Sequence, residues 1–427
     1  MQAHSELGVS VTRTPIGPAA VSLPTAVPLF VGYTEKGALT SVCEVTSPDD
    51  FKAQLGGPGL SRVPPFALYD TVCHYFDQGG GRCYVLSLGC PSTCTKSCTC
   101  SSAAPVTLKE DLNKVSWAAC WAQAPQATLL AVPDLVLMEG SCDDAWVEAW
   151  EVLVSAPARE ARAFVLLDGP DDPGQVRQCL DKFAKLDLGD ALTHAALYWP
   201  RLRTNRSSST GDELIVPSSG AVAAVIQRTD RERGIWSAPA NVALARVVGP
   251  TCHAMPMASF DGITLNRIRS FAARGVRVWG CRTLAPPVSA NNVQSPWQYV
   301  QLRRTMSYVE QHLSDLARFA VFEPNNAVTW LKLKSVARAW LRRLWLAGGL
   351  FGTQESDAFW LKIGLHESMT ADEANTGLIR LNVGLALQYP AEFIELQLQL
   401  HTGESTVSSS VQAVPHRSAL DLNSKKA

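Results

Sequence analysis

Two acidic residues end short apolar segments: Asp134 closes TLLAVPD, and Asp168 stands in AFVLLDG. His194 precedes a third such segment, AALYWP, and Ser218 and Ser219 sit in VPSSGAV, where an apolar helical run begins. Carboxylate, imidazole and hydroxyl are the groups acyl transfer requires. The acid orients the base, and the base takes the nucleophile's proton. In an open α/β sheet the carboxyl ends of strands are also where ligands bind. The set is nonetheless incomplete. A nucleophilic serine needs a strained turn or helix start with oxyanion donors beside it, and nothing like a Gly-Thr-Ser nucleophile motif is present. Ser218 and Ser219 therefore read as N-cap hydroxyls that satisfy free backbone N–H groups. Gly79-Gly80-Gly81 precedes a strand rather than following one, which is turn chemistry and not a phosphate loop. An α/β hydrolase-like enzyme stays an alternative whose catalytic set does not assemble from these residues.

A second candidate is CPSTCTKSCTC, with Cys90, Cys94, Cys98 and Cys100. Four thiolates can hold zinc tetrahedrally. The spacing Cys-x3-Cys-x3-Cys-x-Cys lacks a paired Cys-x2-Cys, so it is a weak metal signature. Surrounded by Ser, Thr and Pro directly after an apolar strand, the stretch reads as an exposed loop insertion. Disulfides formed on release into oxidising surroundings are a further option. Cys120, Cys179 and Cys281 lie in apolar or helical contexts, where cysteine acts as a small hydrophobe. The expectation is no metal and no cofactor.

The elements that would position these groups alternate. Short apolar strands are expected at 28–34, 83–88, 128–134, 163–169 and 195–200. Between them come helices at 65–77, 144–155, 175–186 and 219–233. Near-continuous apolar strands separated by helices indicate strands buried on both faces, hence a mainly parallel α/β sheet. The 427 residues suffice for two or three domains. A net charge of −1 argues against nucleic acid as a partner. It also does little to resist self-association. No apolar run suits a signal peptide or a membrane span, so the chain is expected to be made in the cytoplasm, with no direct membrane insertion.

Around residue 221 the sequence looks like a joint. AVAAVIQRTDRERG predicts a helix with Val222, Val225 and Ile226 on one face and Gly234 stopping it. IWSAPAN is too irregular for either period, and RGVRVWGCRTL reads as the first strand of another domain. Beyond it, Leu302, Met306, Val309, Leu313 and Leu316 form one helical stripe. EPNN then caps a second helix over 327–346, whose Trp330, Leu333, Ala337, Trp340, Leu341 and Leu344 face inward. The opposite face carries Lys334, Arg338 and Arg342, with Arg343 beside them. Such a stripe is usually a solvated face; the sharper reading is a docking face for an acidic partner. EFIELQLQLHT alternates with period two, Ile394, Leu396, Leu398 and Leu400 forming its apolar side. Near the N-terminus GVSVTRT also alternates, Val9 and Val11 against Ser10 and Thr12, with no hairpin partner nearby. By itself that is a disordered terminus or a strand that pairs elsewhere. RTNRSSSTGDE (203–213) reads as a polar loop, and the Ser-rich tail as disorder or an arm.

TDRERGIWSAPAN followed by RGVRVWGCRTL, WQYVQLRRTMSYVEQHL, ARFAVFEPNN and PAEFIELQL, in that order, closely resembles the sheath subunit of contractile tails. Such subunits occur in contractile-tailed phages, R-type pyocins and phage-tail-like injection systems. The resemblance covers roughly 211–400 well and the first forty residues loosely, and fades between about 90 and 150. It implies a middle α/β domain of subtilisin-like fold without the triad. With it would come an α+β polymerisation domain and terminal arms: 1–26 an arm with a donated strand, 27–241 the outward-facing middle domain, 242–401 the tube-facing polymerisation domain, and 402–427 a tail or arm. The implied partners are further copies of the chain, an inner tube protein, and baseplate and terminator proteins. Val9, Val11 and Thr12 of one copy would add to an edge bearing Ile394, Leu396, Leu398 and Leu400 of another, because an exposed strand edge accepts a strand. Such a contact is heterologous and, when it does not close, builds a helical filament. Lys334, Arg338, Arg342 and Arg343 would face the tube. The resemblance further implies contraction that drives the tube through a target envelope, in a particle that can be released. A non-contractile paralogue forming a terminal or baseplate-proximal ring is the runner-up.

Overall fold

The structure is a computed structural model. It describes residues 24–37, 40–58, 66–89, 108–155, 163–207, 211, 213–253, 265–286 and 295–390, and the backbone of 395–399 and 408–412. In chain order the first half holds β1 (Pro28–Gly32), β2 (Val42–Val45), α1 (Pro48–Leu55), α2 (Ala67–Asp77) and β3 (Cys83–Ser87). Then come α3 (Leu108–Asn113), α4 (Trp117–Gln123), β4 (Leu129–Ala131), α5 (Asp143–Ser155), β5 (Phe164–Leu167) and α6 (Pro173–Phe183). After β6 (Ala195–Trp199) follow β7 (Leu202–Ser207), β8 (Glu213–Val216), α7 (Ser218–Arg233), β9 (Val242–Ala243), β10 (Val247–Pro250), β11 (Asn266–Phe271) and β12 (Gly275–Trp279). The remainder is α8 (Val300–Ala317), α9 (Ala327–Leu346), α10 (Glu355–Ala358), β13 (Phe359–Lys362), α11 (Ala371–Asn375), β14 (Asn382–Leu385), β15 (Glu395–Gln399) and β16 (Ser408–Gln412).

The centre is a nine-stranded sheet in the order β2-β3-β1-β4-β5-β6-β11-β12-β9. The five pairings from β3 to β11 are parallel, and the edges are closed by antiparallel strands. Strands buried on both faces must alternate between two cores. Leu29 and Val31 of β1, Leu130 of β4 and Val165 and Leu167 of β5 point to one side. Phe30, Leu129, Ala131, Phe164 and Leu166 point to the other. The first core is covered by α3 to α6, with Trp146, Trp150 and Phe183 fully buried and packed ring to ring. The second is covered by α1, α2 and α7. This is the mainly parallel sheet that the spacing of apolar strands and helices predicts.

Three details depart from the sequence reading. α7 is not amphipathic over its first half: Ser218 to Ile226 are all buried, because the helix lies across the sheet and against α2. Gly220 permits that approach, since a Cβ there would lie 2.4 Å from the Thr71 methyl. Second, the strand expected to open a new domain stays in the sheet. β12 pairs antiparallel with β11, and β11 runs parallel to β6. The sheet therefore continues past residue 242. Asn266 seals the join, its Nδ2 donating to the carbonyls of Leu197 and Arg282 while its Oδ1 accepts from Arg282 N–H at 2.7 Å. Third, the polar stretch 203–213 is mostly strand: β7 pairs with β8 and β10 in a three-stranded sheet.

The C-terminal region is built on smaller cores. α9 starts where the sequence puts it, Asn326 Oδ1 accepting from the N–H groups of Val328 and Thr329. It packs on α8 through His312 stacked on Trp340, with ring centroids 4.2 Å apart. β13 and β14 pair antiparallel, and the Trp360 indole lies over Gly384, where a Cβ would come within 2.1 Å of it. β15 pairs antiparallel with β16, Leu396 opposite Val411 and Leu398 opposite Ser409, as a two-stranded sheet.

Candidate functional site

The strand-end acids are spent on architecture. Asp134, fully buried just beyond β4, accepts from three backbone N–H groups: Tyr33 at 2.6 Å, Ala67 at 2.7 Å and Leu68 at 3.1 Å. It thereby closes the end of β1 and caps α2, whose own N-cap, Phe66, offers no side-chain acceptor. Asp168, beyond β5, does the same for α7, its Oδ1 accepting from Ser219 N–H at 3.0 Å and from the Ser218 hydroxyl at 3.1 Å. Ser218 and Ser219 are thus not the N-cap. Pro217 occupies that position without a capping side chain, and the neighbouring strand supplies the carboxylate instead. Burial pushes the Asp168 pKa up to about 6, against the pull of the Ser219 and Ser218 donors and of Arg201. His194 completes no triad. β5 and β6 are parallel with Val165 opposite Ala195. His194 is therefore level with Phe164, and Asp168 lies four positions along the strands, roughly 13 Å away.

The joint is where the molecule concentrates polar contacts between distant segments. Arg304, in the first turns of α8, forks Asp230 of α7: Nη1 to Oδ1 at 3.1 Å and Nη2 to Oδ2 at 2.6 Å. Both side chains are almost fully buried. Arg304 Nη2 also donates to the Thr25 carbonyl at 2.8 Å, where the N-terminal segment enters the body. Next to it, Gln227 Nε2 donates to the Ala26 carbonyl at 2.8 Å, and Thr128 Oγ1 donates to the Thr25 carbonyl at 2.8 Å. The crossing 235–241 is pinned by Trp236, which packs over Gly234 (φ +90°) and Gly349; a Cβ at either glycine would meet its ring within 3 Å. Asn241, at φ +57°, donates to the Val278 carbonyl and starts β9. Period counting did not find Arg304, because it sits outside the stripe Leu302-Met306-Val309. The signal available was two arginines, Arg303 and Arg304, that are the sole charges between Trp297 and Val309.

Beside the joint lies a cavity of about 360 Å³, lined by Thr25, Asp230, Trp236, Tyr308, His312, Trp340 and Arg343 among others. Burial pulls the His312 pKa down, with Arg343 acting in the same direction and Asp315 opposing.

The basic stripe of α9 is largely neutralised within the chain. Lys334 pairs with Glu367 at 3.0 Å, Arg338 with Glu355 at 2.7 Å, and Arg342 with the same Glu355 at 3.5 Å. Arg343 is exposed at the rim of the joint cavity. What α9 displays to solvent is mixed: Val328, Leu331 and Leu346 stand exposed alongside Arg342, and Phe322, just before the helix, is fully exposed. At 1.5 Å per residue the twenty residues of α9 span about 30 Å. Val9, Val11, Thr12, Ile394 and Leu400 lie outside the described residues, as does the Cys90, Cys94, Cys98 and Cys100 loop. Leu396 and Leu398 are placed by backbone in β15. Among the described residues no group of His, Cys, Asp and Glu is arranged to hold a metal, and no helix is long and apolar enough to cross a membrane.

A family model for the phage tail sheath C-terminal domain matches residues 292–400, the span of α8 to β15. A tail sheath protein of Vibrio phage KVP40 is 26% identical over 141 residues, or 32% of this chain. The chain spans about a fifth of the length of that curated relative. A chain in the cryo-EM structure of the anti-feeding prophage baseplate in its contracted state superposes with a TM-score of 0.78 at 35% identity, covering 94% of this chain and 100% of that one. The chain belongs to the contractile-tail sheath family. A sheath complex of an extracellular contractile injection system (PVC), also contracted, matches with a TM-score of 0.65 at 25% identity over 94% of this chain and 99% of that one. Within this sheath subunit the motif TDRERGIWSAPAN is the end of α7 and the pinned crossing. LRRTM supplies the arginine that grips Asp230, and EPNN caps α9.

Proposed function

We propose that this sheath subunit polymerises head to tail as a helical cylinder around an inner tube, and that contraction of the cylinder drives the tube through a target envelope. The observation that carries the reading is the 35% identity over the whole of a contracted-state relative, joined to an edge suited to polymerisation. β15 and β16 form a two-stranded sheet, and two strands alone are marginal in water. A third strand from a neighbour's residues 8–14 completes it by main-chain hydrogen bonds. The chain then divides in function: 1–26 and 402–427 as arms, the strand-rich body facing outward, and the region from α8 onward facing the tube. α9 is the tube contact. Its docking energy comes from the exposed Val328, Leu331 and Leu346, because Lys334, Arg338 and Arg342 already have partners in the chain. We take the subunit to be non-catalytic, since the acids that could have served a triad cap helices. Assembly takes place in the cytoplasm before the particle is released.

A second reading draws on the baseplate origin of the 35% identical relative: a position in the sheath ring beside the baseplate. Negative-stain electron microscopy of the purified chain, alone, with its cognate tube protein and with tubes standing on their baseplate, separates the two. Long ridged cylinders mark the main sheath. Single rings only on baseplate-bearing tubes mark the ring subunit. Monodisperse monomers under every condition reject both.

A further inference from the structure

We propose that Arg304, with Asp230 and Gln227, is a positioning clamp that fixes the direction in which the N-terminal arm leaves the body, and with it the register in which one copy tethers the next. This rests on the arm-exchange reading above. Three segments far apart in sequence meet at the arm root. Arg304 binds both oxygens of Asp230 and, through the same Nη2, the Thr25 carbonyl. Gln227, one turn before Asp230 on α7, holds the next carbonyl, Ala26, while its Oε1 accepts from the Tyr75 hydroxyl at 2.9 Å.

Packing fixes Ala26 and Val27, which are buried in the two cores, but Pro24 and Thr25 before them are only half-buried. Two cavities, of about 360 and 320 Å³, flank the root, and both are lined by Thr25 and Asp230. A segment bordered by open space on two sides is free to swivel unless directional bonds hold it. Hydrogen bonds to consecutive carbonyls, from donors on two different helices, fix where the chain points as well as where it sits. Arginine suits the role because its planar fork presents several N–H groups in fixed geometry; a lysine ammonium is a point charge that satisfies Asp230 or the Thr25 carbonyl less directionally. A buried ion pair stabilises little compared with apolar packing of the same volume. Its contribution here is therefore orientation.

The test uses the full chain carrying Arg304→Lys or Gln227→Met, with a chain lacking residues 1–20 as control. Melting temperature, hydrogen exchange at Ala26 and Val27, and the yield and helical order of polymer are measured together. The clamp predicts that Arg304→Lys folds with faster exchange at Ala26 and Val27. It also predicts polymer yield lower by on the order of tenfold, the effect of one lost charge-assisted hydrogen bond at a contact repeated along the assembly, or loss of uniform pitch. Gln227→Met moves the same readouts in the same direction and decides the matter if Arg304→Lys does not fold. Wild-type yield and pitch from a folded variant with a loosened root overturn the clamp while leaving arm exchange intact. Normal cylinders from the control overturn arm exchange and the clamp with it.

Discussion

In the sheet body, Phe30, Trp146, Trp150 and Phe183 are sealed from water, and even the acids at the strand ends are buried and used. Past residue 320, Phe322, Val328, Leu331, Leu346, Phe351 and Trp360 stand exposed on a region whose cores are a few residues each. The body buries most of its large apolar side chains and uses its strand-end acids to hold helix N-termini. The C-terminal region leaves more apolar surface unspent, the surface that the proposed tube contact on α9 would use. Charge divides less cleanly, since Lys109–Glu148, Lys182–Asp144 and Arg203–Glu213 are exposed ion pairs of the body. In the body a carboxylate holds helix N-termini in a dry environment, whereas on α9 exposed ion pairs leave the surface open to a partner.

The largest expected effect is in the body. Asp134→Ala leaves three backbone N–H groups without an acceptor and should cost about 3 kcal/mol or more, read as a lowered urea midpoint at unchanged slope. An unshifted midpoint would mean that the body does not depend on its strand-end caps.

Next comes the contrast on α9. Leu331→Glu with Leu346→Glu should leave the midpoint within about 0.5 kcal/mol, since both side chains are exposed. Assembly on the tube should nevertheless fall on the order of tenfold or more. Intact assembly would reassign the stripe to solvent.

The third effect concerns pH. With a folded pKa near 6 against 3.8 when unfolded, Asp168 makes the folded state bind a proton that the unfolded chain does not. Its carboxylate form therefore weakens the fold above pH 6, and stability rises as pH falls from 6 toward 4. Asp168→Asn, which keeps an acceptor for Ser219 N–H, should flatten this rise, worth at most ~3 kcal/mol. A slope that is unchanged in the variant would assign the pH dependence to another group.

Smallest is the charge stripe. Reversing Lys334, Arg338 and Arg342 to Glu breaks exposed pairs worth well under about 1 kcal/mol each. It should change stability little and weaken tube-templated assembly modestly. No change in assembly would make the stripe a solvated face.

The sheet was legible in the sequence because its strands are buried on both faces. That writes continuous apolar runs such as AFVLL, and the helices between them carry clear periods and stops. α9 was legible for the same reason, down to its Asn326 cap. What period counting could not give was pairing between distant segments. β12 looked like the start of a new domain because nothing in RGVRVWG specifies β11, or β6 beyond it, as a neighbour. The acids at 134 and 168 could be weighed as triad carboxylates, but not assigned as helix caps, because a carboxylate at a strand end has the same sequence signature whether it meets a ligand or a helix N-terminus. Arg304 escaped notice because an arginine in a helix is read as solvated until its partner, seventy-four residues earlier in the chain, is placed against it.

The proposed arm exchange ties the sheet body into a polymer through its N-terminal residues. Deleting residues 1–20 and following the purified chain by thermal melting and electron microscopy tests it most directly. Arm exchange predicts a monomer with the melting temperature of the full chain and no cylinders, with or without the tube protein. Ordinary cylinders from the truncated chain would contradict it.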